Sequence, residues 1–403
     1  MSITVLNVGQ NHYINGGSDR YLFSMGALLE KNGHRIIPFA SAQPRNLPSQ
    51  WEDYFPRSVN FQNPKPSDIL NFVYSVSAAK AISHLIKSAT PDLAHLHIYY
   101  GQLTSSILNP LKSAGIPIVQ TLHEFKTVCP TYSLFSNGKI CEACEGHKFW
   151  RAVTQRCNRG SFLRSALSAT EAYVARWVGA IDKVDHFIAV SDFLRDKVIS
   201  LGLPGNKITT IHNFIDCTYI APADQPGDYL LYFGRLERIK GIYTLLEAIT
   251  PLVNIPILIV GDGNEMIALQ YEIKQRGLDH VKLLGFKQGV ELENLIRGCI
   301  CTIAPSEWYE TFGLTLVESF AHGRPVVASQ IGGMTEVVDD GIDGFLVPPG
   351  DVIALRERLA WMATHPTEAL EMGRRGRIKV EKKFSPTRHY EQLMRVYRGV
   401  GVG

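Results

Sequence analysis

The sequence predicts an α/β chain built as two doubly wound, parallel-sheet domains, and three observations carry that expectation. At 403 residues the chain is too long for one ordinary core and comfortable for two domains of about 200 residues each. Short runs rich in Val, Ile and Leu alternate with longer stretches of helical period, the pattern of parallel strands covered by helices on both faces. Near the middle, NFIDCTYIAPADQPGDY holds Pro222 and Pro226 and has no clear period, which marks a joint.

Taken in order, the strand-like runs of the amino half are Ile3–Val8, Arg35–Phe39, Leu93–His97, Pro117–Leu122, His186–Val190 and Lys207–Ile211. The carboxyl half offers Tyr229–Phe233, Pro256–Val260, Val281–Leu284, Cys301–Ala304, Pro325–Ser329 and Gly344–Val347. Helical patterns follow over Val352 to His365 and Pro366 to Lys383. Proline breaks a continuous helix, so beyond Pro386 a closing helix is expected to start afresh, from His389 to Arg398, and to cross back onto the first domain. The expected domains are residues 1–215 and residues 216–385, with the closing segment 386–403 returning to the first.

Composition is that of a soluble globular chain, 45% hydrophobic and 20% charged. The opening MSITVLNVGQ lacks both a charged leader and a long apolar core, and no window reaches the ~18 apolar residues of a membrane span. A cytoplasmic chain is expected, with peripheral contact at the inner face of the plasma membrane as a further expectation. Net charge is only +3, yet residues 1–200 hold 20 Lys and Arg against 14 Asp and Glu, while residues 201–403 hold 21 against 24. A basic amino half fits a nucleic acid, an anionic membrane face, a phosphorylated acceptor or plain solvated surface, and charge alone does not decide among them.

The sharpest motif is PSEWYETFGLTLVESFAHGRPVVAS, in which Glu310 and Glu318 stand eight positions apart across a loop and the start of a helix opening near Gly313. The amides of Phe312, Gly313, Leu314 and Thr315 would project from that helix end, a natural seat for a diphosphate. Glu318, about 7.5 Å further along at the helical rise, would fall beside a ribose, and Glu310 would face a sugar. Upstream, YLLYFG runs into RLERIKG and places Arg235 and Lys240 at the carboxyl end of a parallel strand, where ligands bind in such sheets. A planar fork and a compact cation together neutralise two phosphates without a metal. Read singly, each of these residues is as well explained by a helix cap or a surface ion pair.

Together with INGGSDRYLFSMGALLEKNGH, AVSDFLRDKVISLGLPGNKITTIHNFID, IVGDGNE, SQIGGMTEVVDDGIDGFLVPPGD and KKFS, these motifs resemble the retaining group 1 glycosyltransferases of the GT-B fold, glycosyltransferase family four. The resemblance runs over nearly the whole chain and implies two Rossmann-like domains facing a donor-binding cleft. It implies that Arg235 and Lys240 bind the donor diphosphate, that Glu318 binds ribose hydroxyls and that Glu310 binds sugar hydroxyls. It also implies that the loop of Gly285 and Phe286 meets the nucleobase, and that Phe312 to Thr315 give amides to phosphates and sugar. Gly16 and Gly17 resemble a glycine-rich loop that approaches the diphosphate from the first domain, where Ser18 and Asp19 depart from the commoner pattern. Gly261 in IVGDGNE joins the donor-binding set. His97 and His123 both end strands of the first domain and would face the cleft, although a hydrogen-bonded structural role is the commoner one for a lone histidine at a strand end, and His123 matches the family position beside the donor sugar. The implied reaction is retaining hexosyl transfer from a nucleoside-diphosphate sugar, UDP being the most frequent, to a glycan or lipid-linked acceptor, with no catalytic metal. A sugar-nucleotide epimerase, and a non-catalytic partner of a transferase, are the rival readings.

Cys129, Cys141, Cys144 and Cys157 form a Cys-x11-Cys-x2-Cys-x12-Cys array that suits a structural zinc, with reduced or bridged thiols as the alternative. Residues 148–177 then interleave Lys148, Arg151, Arg156, Arg159, Arg164 and Arg176 with Phe149, Trp150, Phe162, Leu163 and Trp177. Contact with an anionic membrane and a solvated helix over a few core aromatics both account for this segment, and nucleic acid is not expected.

Overall fold

The computed structural model describes residues 2–249 and 255–403. It divides into two compact units, Met1–Ile211 with Tyr390–Gly403, and His212–His389.

The first unit is built on a six-stranded parallel sheet of order β2-β1-β3-β4-β7-β8. Its strands are β1 (Thr4–Val8), β2 (Arg35–Phe39), β3 (Leu93–Leu96), β4 (Ile118–Leu122), β7 (His186–Ala189) and β8 (Ile208–Thr210). A separate two-stranded hairpin, β5 (Phe135–Ser136) with β6 (Lys139–Ile140), lies in the cysteine-bearing segment. β3 and β4 are buried throughout, which explains why they read as unbroken apolar runs rather than as alternation. The helix Gly17–Lys31 follows β1 and buries Tyr21, Leu22, Met25, Leu28 and Leu29.

The second unit repeats the plan in the order β11-β10-β9-β12-β13-β14. Its strands are β9 (Leu230–Phe233), β10 (Ile257–Val260), β11 (Val281–Gly285), β12 (Cys301–Ala304), β13 (Val326–Ser329) and β14 (Gly344–Val347), all parallel. Strand order reverses between β9 and β12, so the chain leaves these neighbours in opposite directions and opens a crevice at their carboxyl ends. The core packs Leu230, Ile257, Ile259 and Ile303 of the sheet against Leu245, Leu246 and Ile249 of the helix Ile242–Ile249 and Leu359 and Met362 of the helix Val352–Thr364. Each such fully buried side chain contributes about 2 kcal/mol.

All twelve expected main strands are present, with ends shifted by a residue or so. The closing helix differs from expectation: it runs Pro386–Gly399 and begins at the proline itself. A proline in the first helical turn loses no hydrogen bond, because that turn's amides have no partner within the helix. From Tyr390 on, this helix belongs to the first unit, held by Tyr390 Oη on His34 Nε2 (2.8 Å) and Tyr397 Oη on His95 Nδ1 (2.7 Å). Among the described residues no single helix is long and apolar enough to cross a membrane.

Candidate active site

In the second unit the loops after β9, β12 and β13 converge on Glu310. Its Oε1 accepts from Lys240 Nζ (2.6 Å), Ser306 Oγ (2.6 Å) and Trp308 Nε1 (2.9 Å). Lys240 also lies over the Trp308 ring, 5.2 Å from its centroid. Burial alone would raise the Glu310 carboxyl. The Lys240 ammonium and the three hydrogen bonds outweigh burial and hold it below the ordinary carboxylate value.

The loop that carries Glu310 is clamped by the next one. Gly333 N donates to Glu310 O at 2.8 Å, and a Cβ on Gly332, whose φ is +63°, would sit 2.3 Å from the same carbonyl. Gly332 therefore meets both a backbone angle and a clearance that a side chain would violate. On the other side, buried Tyr232 at the end of β9 donates its hydroxyl to Arg235 O (2.8 Å) and pins the start of the RLERIKG loop. Gly261, after β10, closes on β9: a Cβ there would lie 1.8 Å from Gly234 O, so its glycine has a structural cause.

The structure joins Lys240 to Glu310, which the sequence reading had assigned separately to phosphate and sugar. Arg235 is not part of that cluster: it is exposed and pairs with Glu237 at 2.9 Å. Phe312 turns its ring into the core, against Phe384 and His212, so only its backbone is available to a ligand. The helix Leu314–Ala321 begins after Gly313, which has no side chain to cap it, and its first-turn amides at Leu314 and Thr315 have no acceptor within the helix. Glu318 is half-buried on the second turn. Phe286 is exposed in the loop after β11.

In the first unit, Gly16 and Gly17 are exposed at the start of the helix Gly17–Lys31. The Gly16 backbone is extended and a Cβ there would meet no protein atom within 4 Å, so the fold itself does not require glycine at that position. Asp19 is buried and accepts from Asn15 N (3.1 Å) and Asn11 Nδ2 (3.4 Å), closing the preceding turn onto the helix. Burial raises its carboxyl while those bonds oppose the rise.

The two histidines form one array. Asn7 Nδ2 donates to Leu22 O at 3.2 Å, which aims Asn7 Oδ1 at His97 Nε2, 2.9 Å away. His97 is buried, and burial first, then His95 and His123, hold it well below the usual imidazole range. Neutral His97 thus donates from Nε2 and accepts at Nδ1 from His123 Nε2, 3.0 Å away. His123 is pushed down by burial to about 3, so it too is neutral and carries an unprotonated Nδ1. Tyr21 packs edge-on against both rings. With its ring nitrogens bonded to Asn7 and His123, His97 takes the hydrogen-bonded structural role that the sequence left open beside a donor contact. Asn7, Ser306 and Trp308 escaped the sequence reading, although Ser306 and Trp308 sit inside the quoted motif.

The four clustered cysteines are free thiols, Cys129 and Cys144 buried, Cys141 and Cys157 half-buried. Gln155 Oε1 lies 3.3 Å from Cys141 Sγ and 3.9 Å from Cys157 Sγ, and Cys157 Sγ also meets Ser136 Oγ at 3.4 Å. Burial, then the three neighbouring thiols, push Cys144 up to about 12. Four thiols supply the donor types of a tetrahedral zinc site, but among the described residues no three of these sulfurs converge, so ligation would require them to ionise, turn from Gln155 and Ser136 and draw together.

A cationic and carboxylate-bearing crevice at a switch point, next to a helix end, is a place for an anionic nucleotide. A family model described as Glycosyltransferase Family 4 matches residues 15–219, about half of the chain, and one described as Glycosyl transferases group 1 matches residues 221–379. The chain belongs to glycosyltransferase family 4. This glycosyltransferase is 26% identical over 242 residues to D-rhamnosyltransferase WbpZ of Pseudomonas aeruginosa, a match spanning 55% of the chain and 60% of that relative. Its fold is similar to sucrose-phosphate synthase from Thermosynechococcus elongatus (TM-score 0.75, 20% identity, 99% of this chain and 98% of that one). It is also similar to Anabaena HepE in complex with UDP and glucose (TM-score 0.72, 19% identity, 98% and 100%).

Proposed function

We propose that this glycosyltransferase moves a hexosyl group from a nucleoside-diphosphate sugar, a UDP-sugar first, to a glycan or lipid-linked acceptor, with retention and without a catalytic metal. The observation that carries the reading is the Lys240–Glu310 pair at the β9/β12 switch point, beside the open end of the helix Leu314–Ala321. The similarity to HepE, whose structure holds UDP and glucose, supports UDP as the nucleotide.

In this reading the leaving diphosphate gains negative charge as the sugar gains oxocarbenium character, and fixed donors aimed at the diphosphate lower that barrier. Arg235, Lys240 and the amides of Gly313, Leu314 and Thr315 are those donors, and the Gly16–Gly17 turn of the first unit is a separate candidate for donor contact. Glu310 holds sugar hydroxyls, Glu318 the ribose, and Phe286 borders the base. His123 is the first unit's candidate for contact with the donor sugar. Retention follows from front-face attack, in which the leaving phosphate oxygen takes the proton of the incoming hydroxyl.

The test is a calorimetric titration with UDP-glucose, UDP-GlcNAc, UDP-galactose, GDP-mannose and ADP-glucose in chelator, followed by a hydrolysis assay on whichever binds. Binding and slow sugar release by one UDP-sugar is the expected result. Binding of none would favour the non-catalytic partner, and activity only after adding a divalent cation would overturn metal independence.

A further inference from the structure

The segment that follows the cysteines presents a surface that nothing in the donor chemistry uses. On the helix Phe162–Trp177, the face made by Ser165, Ser168, Ala169 and Ala172 is buried. A separate face, centred about 120° from the buried one, carries Phe162, Leu163, Tyr173 and Trp177, which at 100° per residue fall within one arc about 100° wide. Leu163 is 78% exposed and Trp177 89% exposed, so these are not the core aromatics that the sequence allowed. Trp150 extends the patch: it is 52% exposed, and its backbone N donates to Tyr173 Oη at 3.1 Å. The helix Pro66–Val73 packs against the same helix and adds exposed Ile69 and Leu70.

Charge says what covers this patch. Lys148, Arg156, Arg159, Arg164 and Arg176 are exposed around it. From Gly146 to Ile181 the one carboxylate is Glu171, which is buried and paired with Lys126 at 2.6 Å. Exposed Glu145 and Asp182 bound this stretch, so basic residues outnumber acids around the aromatic and leucine side chains, a combination that matches the headgroup layer of an anionic bilayer. A protein partner or a second copy would more often be met by a rim of mixed sign.

We propose that the exposed face of residues 148–177 docks the chain on an anionic phospholipid surface. The proposal rests on the first unit alone and is independent of the donor assignment. The experiment is co-sedimentation of the full chain with vesicles of phosphatidylglycerol and phosphatidylcholine, and with vesicles of phosphatidylcholine alone, across a salt series. Binding to the anionic vesicles that fades with added salt is expected. Trp177→Ala combined with Leu163→Ala should weaken partitioning about tenfold or more. Arg159→Gln and Arg164→Gln should each weaken it about fivefold. All these side chains are exposed, and an unchanged Tm and circular-dichroism spectrum of the variants would show that they remain folded. The proposal is overturned if the chain ignores anionic vesicles at low salt, or if the variants bind as the parent does. A dimer that Trp177→Ala and Leu163→Ala dissociate, without vesicle binding, would assign the face to a second copy instead.

Discussion

Glu310→Gln separates what the carboxylate does for the fold from what it does for the donor. In the parent, one oxygen accepts three hydrogen bonds, from Lys240, Ser306 and Trp308, and the acid and lysine side chains are only 13% and 20% exposed. An amide oxygen keeps the shape and loses the charge, so the Ser306 and Trp308 bonds drop from charge-assisted to neutral at about 1 kcal/mol apiece, while the Lys240 bond loses its ion pairing but keeps a charged donor. Partial exposure of Lys240 limits the total to about 2 kcal/mol, or about 4–8 °C in Tm for a domain of this size. Affinity for UDP should not fall, because the substitution releases Lys240 toward phosphate, whereas affinity for a UDP-sugar should drop about tenfold through the lost sugar contact. The assays are thermal unfolding and paired titrations with UDP and the preferred UDP-sugar. Equal losses for both ligands would refute the assignment of Glu310 to the sugar, and an unmoved Tm would refute the energetics. The pH dependence gives a second check. A carboxylate held below its ordinary value contributes stability that is complete above the unfolded value and is lost as pH falls through the folded one. The parent should therefore lose its advantage over Glu310→Gln as pH falls from about 5.

Other expectations follow from the same geometry. Gly16→Ala should leave Tm level or slightly raised, since the protein leaves room for a Cβ, while weakening UDP-sugar binding about tenfold in calorimetry. Gly332→Ala should cost about 2 kcal/mol or more in denaturant unfolding, because the new Cβ meets Glu310 O at a left-handed φ. Asn7→Leu removes the acceptor that orients His97. Histidine ¹⁵N spectra should then show His123 losing its single Nε2–H tautomer, and kcat for donor hydrolysis should fall more than KM rises. If Cys129, Cys141, Cys144 and Cys157 hold a structural zinc, elemental analysis of reduced protein should find about one zinc per chain, and Cys144→Ser should abolish it.

Much of the fold was legible because a strand buried on both faces needs a continuous apolar run. YLLYFG and PILIV, read as strands, became β9 and β10. The β5–β6 hairpin escaped, since two-residue strands carry no period and their sequence is dominated by cysteine and turn residues. The closing helix begins three residues before the expected His389, because Pro386 starts the helix and does not break it: its missing N–H fits the first turn. Glu310, Lys240 and Arg235 stood out by position at strand ends, but their pairing did not. Residues 240 and 310 meet through loops 70 positions apart, and which cation reaches which acid depends on backbone paths that local sequence does not encode.

The sequence by itself determined the class of the protein: two parallel-sheet domains, the places where strands end, and the glycosyltransferase family. Those properties follow from short-range periodicity and motif spacing, which survive in one dimension. Only the tertiary structure decided that Glu310 neutralises Lys240, that His97 serves His123 through Asn7, that Gly332 and not a side chain must face the Glu310 carbonyl, and that Trp177 looks into solvent. Each of these is a contact, or its absence, across tens of residues or more. Its energy depends on distances of a few tenths of an ångström and on burial, which only the folded chain defines.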